Sequence, residues 1–337
     1  MGQFERVAHL LLRNYSKSHS DLDLLFKMVE SIEMKKLIFI FAISLVYSIS
    51  HADDFFTSKL AIYALMQNLK LSPSTTAQVE MQGITSDQGM DLVRLRLSSD
   101  EIPGAQIVMR GPTGFLQRSD YSYQVLFVTS GFLTGASSVM LLGEIPNTVV
   151  IGYEYPFTGE AMVSDPGKLL QTFRLTAGQI ALSLKWVTEQ SWANPNRTIA
   201  MGVSLGGIFL PMSLHIAQEM NVSVSHVIFG YTGSDIESIL VNNLKGQVPE
   251  DFLNALISAT PVVNVINDPK LHLPYLKGRF FVIQSEQDQV IPRVSTEQLY
   301  SLLPNPKVKI MLQGPHIDTT QGDLILQTKE AILKWLN

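Results

Sequence analysis

The sequence predicts an α/β fold in which a mostly parallel central sheet is flanked by helices, and three observations carry that prediction. Strand-like and helix-like stretches alternate from residue 123 to the end, the order expected of a parallel sheet with helical crossovers. The strand-like stretches are short and mostly apolar throughout, as strands buried on both faces are. Residues 197–209, R-T-I-A-M-G-V-S-L-G-G-I-F, join a buried strand to a buried helix through Gly202-Val203-Ser204-Leu205-Gly206. This is a G-x-S-x-G. A serine presented at the tip of a sheet needs a very sharp strand-to-helix turn, and glycines two residues to either side let the backbones pass without a Cβ clash.

Taken in order, residues 55–69 carry a helical pattern with Leu60, Ala61, Ala64, Leu65 and Leu69 on one side. Residues 75–83 and 90–97 read as strands. In the second, Leu92, Val93, Leu95 and Leu97 are interleaved with Arg94 and Arg96, as in a half-exposed edge strand. Residues 106–110 are a third strand. No helix separates these three, so antiparallel pairing is expected. Strands follow at 125–128 and 149–153. Asp165 and Pro166 then open a long helix as N-cap and first helical residue. Its apolar positions Leu169, Phe173, Ala177, Ile180, Leu184 and Val187 step by 4, 4, 3, 4 and 3, an amphipathic period. Beyond residue 209 the helix runs to about 219. Strands come at 227–229, 280–284 and 308–312, and a closing helix at 323–336. Between residues 234 and 277 no strand is evident. Two helical pieces, 236–244 and 249–258, are expected there as a short helical cap, since an excursion of this length between strands is usually functional. No linker or repeat divides the chain, so one domain, 53–337, is expected.

The 337 residues are 46% hydrophobic and 16% charged, enough apolar material for a sizeable core. Net charge is -5 with no basic block, which argues against a nucleic-acid partner. The absence of cysteine removes disulfides, thiolate metal sites and a cysteine nucleophile. Near the N-terminus, Met34-Lys35-Lys36 precedes thirteen uncharged residues, 37–49, followed by Ser50-His51-Ala52 and Asp53-Asp54. A basic start, a short apolar core and small residues at a cut are the layout of a secretory signal. Thirteen helical residues reach about 20 Å, short of a bilayer core of about 30 Å. A signal at 34–52, cleaved near Ala52, is therefore expected, with a secreted or periplasmic product and no membrane span after cleavage. Residues 1–33 have mixed charge and no signal character, so translation is expected to begin at Met34.

A serine nucleophile needs a base to take its proton and an acid to orient the base. Past the signal there are four histidines. His215 lies far along the helix that Ser204 opens. His226 precedes a strand, at the end of the sheet away from that turn. His272 sits in the 234–277 excursion. His316 follows the last strand, in Leu312-Gln313-Gly314-Pro315-His316, on a carboxyl-end loop. Such loops gather on the side of a parallel sheet where Ser204 must be, which makes His316 the expected base. The acid should come from another carboxyl-end loop, and Ser285-Glu286-Gln287-Asp288-Gln289-Val290-Ile291-Pro292 follows the strand at 280–284. Asp288 is the expected acid, with Glu286 and Asp235 as rivals.

Ser204, Asp288 and His316 fall in the order that marks the α/β-hydrolase fold, and the chain from about residue 123 to 337 resembles that family. Ser285-x-x-Asp288-x-x-Ile291-Pro292 is similar to the family's acid loop, with Ser285 where Gly usually stands. Ser130-Gly131-Phe132 looks like the His-Gly-x of its oxyanion loop, with serine in place of a histidine that often braces the loop. The early strands and residues 129–135 look most like the dienelactone-hydrolase and prolyl-oligopeptidase-like branch. The resemblance implies a serine hydrolase that cleaves an acyl bond, most readily a carboxylic ester of a small molecule. Leu205 and Phe132 N–H groups would form the oxyanion hole, with no metal and no organic cofactor. A peptidase or amidase on the same residues is the nearest alternative, and a non-catalytic binding module on the same fold is an alternative of another class. Apolar residues on the carboxyl-end loops and the excursion (Phe132, Leu133, Tyr155, Phe157, Ile236, Ile239, Phe252, Leu253, Leu256 and Ile257) suggest an acyl pocket.

Overall fold

A computed structural model of the chain describes residues 54–131, 134–156, 166–246, 250–251, 253–254, 257 and 268–336. Helix α1 (Asp54–Asn68) leads into strands β1 (Gln78–Asp87), β2 (Met90–Ser98) and β3 (Ala105–Pro112). Next come β4 (Tyr123–Thr129), a short helix α2 (Ser138–Leu141), β5 (Thr148–Glu154) and the long α3 (Pro166–Thr188). β6 (Ala193–Val203) runs into α4 (Leu205–Glu219), followed by β7 (His226–Gly230), α5 (Ile236–Leu244) and α6 (Pro269–His272). β8 (Arg279–Ser285), α7 (Arg293–Leu302), β9 (Lys307–Leu312) and α8 (Gly322–Leu336) complete the described elements.

The nine described strands form one sheet in the order β1-β2-β3-β5-β4-β6-β7-β8-β9. β1, β2 and β3 pair antiparallel, and β3 joins β5 antiparallel. From β5 across to β9 every pairing is parallel. The absence of helices among the first three strands has the expected consequence, since hairpins rather than crossovers connect them. One detail differs from expectation. β2 is not the edge: β1 pairs along its outer side and is itself almost wholly exposed. The arginines in β2 mark one solvated face, which an interior strand of an antiparallel sheet can also have.

The parallel strands are apolar throughout because alternate side chains enter two different cores. Val125 and Phe127 of β4 lie in the core made with α1, α3, α4 and α7. Leu126 and Val128 lie in the core made with α2 and α8 on the opposite face. Phe280 and Val282 against Phe281 and Ile283 divide β8 in the same way. Each such buried side chain contributes about 1.5–3 kcal/mol. Between β7 and β8 the described residues are helical at 236–244, 250–251, 253–254, 257 and 269–272.

α7 was not visible in the sequence. Its buried residues are Ser295 and Thr296 as well as Leu299, while Val294 is 65% exposed. The face it turns inward is partly made of hydroxyls, which an apolar periodicity does not register. The expected signal at 34–52 and the Asp165 N-cap lie outside the described residues. Among the described residues no helix is long and apolar enough to cross a membrane.

Candidate active site

The connections leaving β4 and β6 go opposite ways, β4 toward β5 and β6 toward β7, although the two strands are neighbours. A crevice opens at the carboxyl ends of such a pair. Thr129, the last residue of β4, is in register with Gly202 near the end of β6. Ser204 follows β6 with φ 53° and ψ -124°, a conformation that costs a non-glycine residue roughly 1–3 kcal/mol. Its surroundings hold it there. Ser204 N–H donates to Gly230 O at 2.9 Å, and Gly207 N–H donates to Ser204 O at 3.0 Å. A Cβ on Gly202 would lie 2.6 Å from the Gly207 α-carbon, so the strand and helix can pass this closely only because residue 202 is glycine.

His316 Nε2 is 2.8 Å from Ser204 Oγ, and His316 Nδ1 is 2.9 Å from Asp288 Oδ2. The other Asp288 oxygen, Oδ1, accepts from the Val290 and Ile291 N–H groups, each at 2.9 Å. Gln284 Nε2 donates to Oδ2 at 3.3 Å. The Asp288 side chain is only 1% exposed and that of His316 15%. A hydroxyl, an imidazole and a buried carboxylate in this order can take the hydroxyl proton onto Nε2 while Nδ1–H stays bonded to the carboxylate.

The two loops that carry Asp288 and His316 are joined directly. Glu286 N–H donates to Leu312 O at 2.9 Å and Gln287 N–H to Gly314 O at 3.1 Å. Ser285, standing where glycine is usual, donates its hydroxyl to the same Gly314 carbonyl. Tyr231, missed in the sequence, backs the imidazole with its ring edge-on at 6.3 Å. Its hydroxyl is 2.6 Å from Thr328 Oγ1. Burial, and then the nearby Asp288 charge, push the phenol up to about 12. Its place directly after β7, at the same end of the sheet as Ser204, was the available signal.

The loop after β4 is braced without a histidine. The buried Ser130 donates through Oγ to Gly135 O at 2.9 Å. Tyr155 OH donates to Ser130 O at 2.7 Å, and Glu154 Oε2 accepts from Ala136 N–H at 3.0 Å. Leu205 is the first residue of α4, where an N–H has no partner within the helix. Phe132, the other expected oxyanion donor, lies outside the described residues, as do Leu133, Phe157, Phe252 and Leu256.

No protein-family model matches the chain, and no curated protein matches it either. Solved structures do. Acetyl xylan esterase 1 from Thermoanaerobacterium sp. superposes with a TM-score of 0.60 at 13% identity, covering 81% of this chain and 92% of that one. An acetyl xylan esterase from Paenibacillus sp. gives 0.56 at 14% identity, over 82% of this chain and 93% of that one. An esterase from Pyrobaculum calidifontis gives 0.51 at 13% identity, over 88% and 98%. The chain has the α/β-hydrolase fold.

Within this fold the other candidates are occupied elsewhere. Asp235 caps α5, accepting from Ser238 N–H at 3.3 Å and Ser238 Oγ at 2.8 Å. Glu286 accepts from Gln313 on the exposed surface. His226 begins β7 and meets Trp335 edge-on at 5.1 Å. His215 and His272 are buried together, Nδ1 to Nδ1 at 3.2 Å. Of the apolar residues expected to wall a pocket, Ile236 and Ile239 are packed with Ile208 and Ile291 in a small core of their own.

Proposed function

We propose that the protein is a serine hydrolase that cleaves a carboxylic ester through an acyl-enzyme on Ser204. The observation that carries the reading is the unbroken line from Ser204 Oγ through His316 to the buried Asp288, at 2.8 and 2.9 Å. In this reading Ser204 Oγ attacks the ester carbonyl carbon and its proton passes to His316 Nε2. The same proton then leaves with the alcohol. Water, deprotonated by His316, releases the acid and restores Ser204. The Leu205 N–H, at the positive end of α4, and the Phe132 N–H hold the developing oxyanion. Asp288 keeps the imidazole in the tautomer that leaves Nε2 free.

The esterases whose folds this chain shares support an ester over an amide as substrate. The signal-like stretch at residues 34–52 supports an exported protein. A fluorophosphonate probe tests the chemistry. Labelling is expected at Ser204, with loss on the order of a millionfold in ester turnover for Ser204→Ala. No labelling at Ser204, or activity within tenfold of wild type in the variant, would place the nucleophile elsewhere. A panel of esters and peptides run on the same preparation separates an esterase from a peptidase.

A further inference from the structure

The loop that carries Asp288 is held from its far side by two asparagines of α5. Asn242 Nδ2 donates to Gln289 O at 2.7 Å and also approaches Val290 O at 3.3 Å. Asn243 Nδ2 donates to Val290 O at 2.7 Å and to Ile239 O, within its own helix, at 2.7 Å. Two carbonyl acceptors on one side-chain nitrogen leave no doubt which end of the Asn243 amide faces the loop.

The carbonyls they hold belong to the same two peptide groups that hold the acid. Gln289 C=O and Val290 N–H are one peptide plane, and Val290 C=O and Ile291 N–H are the next. In a trans peptide the carbonyl and the N–H point in opposite directions. Each plane is therefore pinned between an asparagine on one side and Asp288 Oδ1, at 2.9 Å, on the other. A hydrogen bond to a carbonyl also polarises the N–H of the same peptide, strengthening the bond that it donates.

α5 is itself fixed against the helix that Ser204 opens. Ile236 and Ile239 pack with Ile208, one turn into α4, and with Ile291 of the acid loop. The start of α5 is tied to α7, since Asp235 N–H donates to Ser295 Oγ at 2.9 Å. One helix thus has its apolar face on the nucleophile's helix and its polar edge on the acid's loop.

We propose that Asn242 and Asn243 are positioning residues, which orient Asp288 through the two intervening peptide groups and so keep His316 aligned with Ser204. This inference rests on the serine-hydrolase reading. α5 is then part of the apparatus that aligns the reacting groups, in addition to any part it plays in enclosing substrate.

The test is the Asn242→Ala/Asn243→Ala double variant of the full protein, beside the near-isosteric Asn243→Asp, assayed with a p-nitrophenyl ester. The double variant is expected to lose roughly 10- to 100-fold in kcat with KM within twofold of wild type. Asn243→Asp, which sets a carboxylate against the Val290 carbonyl, should lose kcat in the same way while keeping its far-UV circular dichroism. A proton NMR spectrum supplies a reading that packing alone would not move. The far-downfield resonance of the His316 Nδ1 proton, assigned by its absence in His316→Ala, should be present in wild type and broadened or lost in both asparagine variants. Unchanged kcat, or an unchanged downfield resonance, would overturn the positioning role. If instead Ser204→Ala and His316→Ala retain wild-type turnover, it is the serine-hydrolase reading that fails.

Discussion

Gly206 and Thr129 meet backbone to backbone: a Cβ on Gly206 would lie 2.2 Å from the Thr129 carbonyl oxygen. Thr129 Oγ1 in turn donates to Gly206 O at 3.0 Å and to Met201 O at 3.3 Å. The first turn of α4 is thereby seated on the end of β4, beside the loop that begins at Ser130. Neither side of the contact is a flexible side chain that can swing away. Gly206→Ala should therefore destabilise the fold by about 3 kcal/mol or more, read by thermal and denaturant unfolding. Gly131→Ala, where an added Cβ meets nothing within 4 Å among the described residues, is the control and should cost far less. Equal effects would mean that the α4–β4 contact is looser than its geometry.

Asp288→Asn should reduce turnover by something like ten-thousandfold, because an amide opposite Nδ1 favours the wrong imidazole tautomer. Glu286→Gln, whose carboxylate accepts from the exposed Gln313 side chain, should leave kcat within a few-fold of wild type. Steady-state kinetics of the two variants side by side decide between them. A larger loss in Glu286→Gln would move the acid to the rival position.

The acyl side of the substrate is expected to be apolar. Phe132, Leu133 and Phe157 on the carboxyl-end loops, and Phe252 and Leu256 on the excursion, carry no charge, and no Arg or Lys cluster stands among them. Each methylene buried contributes about 0.8 kcal/mol, so two added carbons are worth roughly tenfold. p-Nitrophenyl butyrate should therefore show a higher kcat/KM than the acetate, and succinyl-type anionic esters should be poor. A flat or falling series would point to a small pocket selective for acetyl groups.

His215 should make stability depend on pH. Burial, and then the positive charge of Lys59, lower it from 6.5 to about 4. The folded state thus keeps His215 neutral where the unfolded chain would protonate it. Its contribution is complete above pH 6.5 and is lost as the pH falls toward 4, by on the order of 3 kcal/mol. Asp268 works in the opposite sense, since burial raises it to about 6 and the folded state binds its proton first. Comparison of wild type with His215→Gln isolates the histidine. In chemical denaturation between pH 7 and pH 4, the variant should lose less stability than wild type by about that amount. Parallel curves would mean that His215 is not held neutral.

The sequence by itself determined what depends on near neighbours along the chain. The β6–Ser204–α4 turn was legible because its glycines and apolar flanks are contiguous. The parallel strands were legible because burial on two faces leaves an apolar run, and antiparallel pairing at the start because no helix intervenes. Only the tertiary structure decided relations between residues far apart. It brings Asp288, rather than Glu286 or Asp235, to His316, because the loop after β8 curls until the Val290 and Ile291 N–H groups meet one carboxylate. It makes β1 rather than β2 the edge of the sheet, and it sets Tyr231 behind the imidazole. It seats Ser130, Glu154 and Tyr155 around the loop where a histidine was missed, and Asn242 and Asn243 behind the acid loop. α7 belongs with these, since its buried hydroxyls are at home in the interior only because Thr232 O and Asp235 N–H are there to meet them. A polar group's fitness for burial depends on its partner, and the partner is supplied by the fold.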